Sequence, residues 1–108
     1  IEHIDAINNL EDILSVNGID GTIIGPYDLS ASLGKPGNFE TQDFKKAIKK
    51  YEKTCSKYNK LIGYHVTEID TGLVLKKINQ GYNFIALSWD SYFLGKNIEN
   101  AISKIKHK

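Results

Sequence analysis

The residues that could do chemistry gather around one stretch, Gly25-Pro26-Tyr27-Asp28-Leu29-Ser30-Ala31-Ser32-Leu33-Gly34, which joins an apolar run to a helix start. Before it, Gly21-Thr22-Ile23-Ile24 reads as a short buried β-strand, and Gly25-Pro26 stops that strand because proline cannot donate to a ladder. Asp28 is thus expected at the strand's C-terminal edge, the face on which α/β proteins bind ligands whether the sheet is open or closed. A second carboxylate, Glu2, follows the isoleucine that opens the chain. If Ile1-Glu2 ends the preceding strand, a single helix returns the chain and both acids share one rim. Their oxygens are hard donors, suited to a divalent cation. Taken alone, an aspartate after Gly-Pro is more often only a helix cap.

The elements that must position these groups follow from apolar periodicity. Asp5 is expected to cap a helix running to about Val16, with Ile4, Ile7, Leu10, Ile13 and Leu14 on one face and Asn17-Gly18 ending it. Ile19 to Ile24 forms the first complete strand, after which Asp28 or Ser30 caps a short turn closing at Gly34. Thr41 opens a helix to about Tyr58, burying Phe44, Ala47, Ile48, Tyr51 and Cys55 and exposing a lysine-rich face. Leu61 to Val66 is a second strand, and Asp70 to Gln80 a third helix burying Leu73, Val74 and Ile78. Asn83 to Ser88 is a third strand, and Ser91 to Lys106 a last helix with Leu94, Ile98, Ala101, Ile102 and Ile105 as its inner stripe. Strands that alternate with helices and are apolar throughout imply a parallel sheet covered on both faces. Half of an eightfold barrel and a small open sheet both satisfy this pattern.

Composition narrows the function classes. A net charge of +1, from 14 lysines against 13 acids, gives no electrostatic case for nucleic acid or an acidic membrane surface. No apolar run approaches the roughly 20 residues needed to span a bilayer, so a cytoplasmic protein is the default expectation. Cys55, the single cysteine, sits in a helical stretch and reads as a buried structural thiol rather than a nucleophile. The chain opens without methionine at an apparent strand end and contains no arginine, so it is expected to be a piece of something longer.

Residues 1 to 37 carry a more specific signal. Ile1-Glu2, Asn9-Leu10-Glu11-Asp12-Ile13-Leu14, Gly18-Ile19-Asp20-Gly21, the stretch Ile24 to Gly34 and Gly37 resemble the HpcH/HpaI aldolase family, metal-dependent aldolases that use pyruvate or a related 2-oxo acid on a TIM barrel. The resemblance implies that residues 1–108 form one partial domain, the C-terminal half of a (β/α)8 barrel, whose missing N-terminal half is its first partner. It places Glu2 and Asp28 on the two protein ligands of Mg2+, Mn2+ or Co2+, and the backbone amides of Tyr27 and Asp28 on the substrate carboxylate. The metal would act as a Lewis acid on the keto group of a 2-oxo acid.

His65 stands where the family usually has an aliphatic residue near substrate, and could bind a carboxylate or hydroxyl of the second substrate; an ordinary hydrogen-bonded histidine reads equally well. Trp89-Asp90 also replaces small residues. The family's arginine and histidine for charge stabilisation and proton transfer lie in the other half, so no catalytic residue is assigned here and this chain alone is not expected to turn over. Condensing and citrate-lyase-type enzymes share the scaffold, and a non-catalytic half-barrel that packs or oligomerises is the reading from another class. Two open strand edges predict association into a homo-oligomer or with the upstream half.

Overall fold

β-branched and aromatic residues build three strands, β1 (Gly21–Ile24), β2 (Leu61–Val66) and β3 (Phe84–Leu87), and the computed structural model, which describes residues 1–106, pairs them in parallel in the order β1-β2-β3. The register sets Ile24 beside Tyr64, and Tyr64 beside Ile85. Six helices accompany them among the described residues: α1 (Ile4–Asn8), α2 (Leu10–Ser15), α3 (Pro26–Ser32), α4 (Gln42–Lys57), α5 (Thr71–Asn79) and α6 (Asp90–Lys106). Ile1 lies alongside β1 and pairs with it in the parallel bonding pattern. Its nitrogen donates to the Ile23 carbonyl (2.6 Å) and its carbonyl accepts from Gly25 N–H (3.1 Å).

The first helix departs from expectation in two ways. His3, not Asp5, is its N-cap, Nδ1 accepting from Asp5 N–H. The helix also breaks at Asn9, whose backbone and side chain both donate to the Asp5 carbonyl, a local competition that bends helices. In the central stretch a real helix replaces the expected turn: Gly25 is the N-cap of α3, Pro26 occupies its first position and Asp28 its first turn, so neither Asp28 nor Ser30 is the cap. Proline's fixed φ suits that position, and its missing N–H ends β1 and opens α3 at once. Ser30 instead donates to the Tyr27 carbonyl and accepts from Gly37 N–H, tying the following loop back onto the helix.

α4 and α5 cover one face of the sheet. Ile24, Tyr64 and Val66 point into a core with Ile7, Leu10, Leu14, Leu29, Phe44, Tyr51, Cys55 and Tyr82. At its centre the Tyr51 hydroxyl donates to the Thr22 carbonyl (2.8 Å) and accepts from Gly63 N–H (3.2 Å), joining α4 to β1 and β2. Burial pushes the Tyr51 and Tyr64 hydroxyls up to about 12 and raises the Cys55 thiol, consistent with a structural cysteine. The inner stripe expected of α5 is partly wrong: Ile78 is exposed and Lys77 is buried. That of α6 covers nothing, since no residue of this helix is buried among the described residues. The radius of gyration, 16.5 Å, accordingly exceeds the roughly 13 Å of a compact domain of this length.

Candidate active site

At the C-terminal edge of the sheet the pairing of Ile1 alongside β1 delivers Glu2 onto that strand. A methyl group at Gly25 would lie 2.8 Å from Glu2 Cγ and 2.9 Å from Oε1, so the Glu2 side chain packs over Gly25 and any larger residue there would push it aside. Pro26-Tyr27-Asp28 follows immediately, so Glu2 packs three residues from Asp28. Both acids are exposed, and neither receives a hydrogen bond or an ion pair among the described residues. Exposed carboxylates of this kind are hard oxygen donors of the sort that divalent cations take. No cluster of three or more His, Cys, Asp or Glu exists among the described residues, so waters or a chelating substrate would have to complete the shell.

The opening of α3 supplies the other polar groups. Pro26 has no N–H, and the amides of Tyr27 and Asp28 precede the first intrahelical bond, from Leu29 N–H to the Gly25 carbonyl. Neither finds an acceptor among the described residues, and both lie at a positive helix end. The exposed Tyr27 ring packs against Gly37, which adopts a positive φ of 76°.

His65 lies on the same face as Glu2. Strand alternation sends Tyr64 and Val66 to the helices, leaving Leu61, Gly63 and His65 on the opposite face. Extending the register by one residue sets Gly25 beside His65, with Ala86 on its other side, and neighbouring strands lie about 4.8 Å apart. His65 Nε2 is 3.0 Å from the Ser88 carbonyl. A carbonyl only accepts, so Nε2 carries the proton and a neutral ring keeps Nδ1 as an acceptor.

Ser88 is the residue that sequence reading missed. It is buried, adopts φ 53°, and its Oγ finds no partner among the described residues. Its only signal was a polar residue closing an apolar strand. His3 turns away as a helix cap, and Trp89 packs on Tyr92 with centroids 5.0 Å apart.

Residues 1–95 match the family model described as HpcH/HpaI aldolase/citrate lyase. The chain belongs to this family. It is 38% identical over 101 residues, 91% of its length, to the hydroxypyruvate/pyruvate aldolase of Roseobacter denitrificans. To the 2-keto-3-deoxy-L-rhamnonate aldolase of Klebsiella pneumoniae it is 32% identical over 106 residues, 98% of its length. It covers 39% of each of these relatives. The crystal structure of an HpcH/HpaI aldolase from Desulfitobacterium hafniense superposes on the whole chain with a TM-score of 0.89 at 27% identity, and the chain covers 41% of it. The three parallel strands and their helices are therefore part of a TIM barrel of the HpcH/HpaI type, and the chain spans about two-fifths of the relatives it matches.

Proposed function

We propose that this chain supplies the metal-binding part of a carbon–carbon lyase acting on a 2-oxo acid such as pyruvate. The observation that carries the reading is the Glu2 side chain packed over Gly25, beside the amides that open α3 and the unpaired Asp28. Glu2 and Asp28 would hold Mg2+, Mn2+ or Co2+, which when bound supplies Lewis acidity at the substrate's keto oxygen. The Tyr27 and Asp28 amides donate to the substrate carboxylate, with Pro26 fixing the backbone that aims them. The charge-stabilising and proton-transfer groups come from the remainder of the barrel, which is also this chain's first partner, and the two open sheet edges are the surfaces through which it associates.

His65 selects the second substrate. With Nε2–H given to the Ser88 carbonyl, Nδ1 accepts, and a hydroxyl-bearing acceptor satisfies it where an apolar aldehyde does not. In the full-length protein His65→Leu should lower kcat/KM for a hydroxylated acceptor about tenfold while sparing metal affinity. Unchanged discrimination would reduce His65 to packing.

Titration calorimetry with Mn2+ on the full-length protein tests the metal assignment. Asp28→Asn should weaken binding by removing one of two charged ligands, and Gly25→Ala should weaken it by pushing Glu2 aside while leaving both carboxylates in place. Unchanged affinity in both variants would sink the assignment.

A further inference from the structure

On the helix-covered side of the sheet, opposite the face that carries Glu2 and His65, a cleft of about 550 Å3 opens between α4 and α5. Phe39, Phe44, Ile48 and Leu73 give it apolar walls. At its base lies Lys77, only 9% exposed. Its Nζ sits 4.1 Å from the centre of the Tyr64 ring and 4.7 Å from that of Tyr82, two rings packed edge to face. No carboxylate or carbonyl among the described residues accepts from it. Glu52, the nearest acid acting on it, is taken by the Tyr82 hydroxyl at 2.8 Å. Lys49 and Lys76 at the mouth also have no acidic partner among the described residues, and Lys45 is held by Glu40.

The Lys77 stem is buried against the two aromatic faces while its ammonium keeps contact with solvent in the cleft, free of any carboxylate or carbonyl among the described residues. Desolvation lowers the Lys77 pKa. An anion entering the cleft would give Lys77 its missing charge-assisted bond, with further cations at the entrance and aromatic walls for an apolar tail. Every wall of the cleft comes from this chain, and its helices cover adjacent strands of this sheet.

We propose that the α4–α5 cleft is a second binding site, separate from the rim, for a small organic anion whose acidic group rests on Lys77 and whose apolar part lies against Phe39, Phe44 and Leu73. It does not depend on the aldolase reading, because it uses the other face of the sheet.

The test titrates benzoate and phenyl phosphate into the full-length protein, with benzyl alcohol and inorganic phosphate as probes that each lack one half of the pattern. Both aromatic anions should saturate one site, and each control should bind about tenfold more weakly or worse. Lys77→Gln should weaken benzoate about tenfold, and Glu52→Gln should tighten it about threefold by removing a repelling charge while still accepting from Tyr82. Absent saturation, equal binding of benzyl alcohol, or displacement of benzoate by oxalate with Mn2+, which would put the probe on the rim, overturns the proposal. Should Lys77→Gln fail to fold, unchanged benzoate affinity in Glu52→Gln overturns it independently.

Discussion

α4 and α6 are two amphipathic helices of 16 and 17 residues, and they end differently. α4 buries Phe44, Ala47, Tyr51, Thr54 and Cys55 against β1 and β2, whereas α6 carries Leu94, Ile98, Ile102 and Ile105 on one stripe and leaves all four exposed. The apolar patterns are of the same kind. What differs is whether this chain provides a surface to receive the stripe, so periodicity tells which face of a helix seeks cover and nothing about what covers it. The same contrast runs through the sheet: Tyr64 and Val66 are buried beneath helices, while Leu61 and Phe84 on the opposite face stay open, in the position of a barrel interior with part of its wall absent.

The largest expected effect is on association. With an open face at Leu61 and Phe84 and an uncovered α6, the 108-residue chain by itself should sediment as a dimer or larger species, and Phe84→Lys with Ile98→Lys should shift it toward monomer. A monodisperse wild-type monomer would break the comparison, since the exposed stripe would then be stable in water.

Next comes the stability of each helix. Phe44→Ala should cost about 3 to 5 kcal/mol in urea unfolding, while Ile98→Ala in the same chain should stay within about 0.5 kcal/mol. A substantial Ile98→Ala effect that appears only in the full-length protein would locate the cover of α6 outside this chain.

A smaller effect belongs to Tyr51. Tyr51→Phe leaves the Thr22 carbonyl and Gly63 amide short of a partner and should cost about 1 to 3 kcal/mol. It also alters the alkaline limb. Tyr51 and Tyr64 are held at about 12 in the fold, against about 10 in the unfolded chain, so the neutral form is favoured by folding. Their contribution is complete below pH 10 and declines as pH rises from 10 to 12, because the unfolded chain ionises first. Urea midpoints at pH 8 and 11 should converge somewhat in Tyr51→Phe; an unchanged pH dependence would remove Tyr51 from the account.

The smallest effect is the α4 cap. Thr41 Oγ accepts from Phe44 N–H, and Thr41→Ala should cost about 1 kcal/mol by thermal unfolding.

The sequence by itself determined the alternation of strands and helices, the parallel sheet and the helix from Thr41, because each rests on local chemistry: β-branched runs, proline's missing N–H, a threonine cap and glycines. The return of Glu2 to the edge of β1 where Asp28 opens α3 was legible in the spacing of one intervening helical segment, whereas its packing over Gly25 was not. Tertiary structure alone decided three other things. It buried Lys77 where periodicity had put Ile78, because the Tyr64 and Tyr82 rings offer an ammonium a face that spacing cannot reveal. It gave His65 a carbonyl partner and so its proton position, through a residue distant in sequence, Ser88. And it left α6 bare, because burial depends on the surfaces that long-range packing brings opposite a stripe, not on the stripe itself.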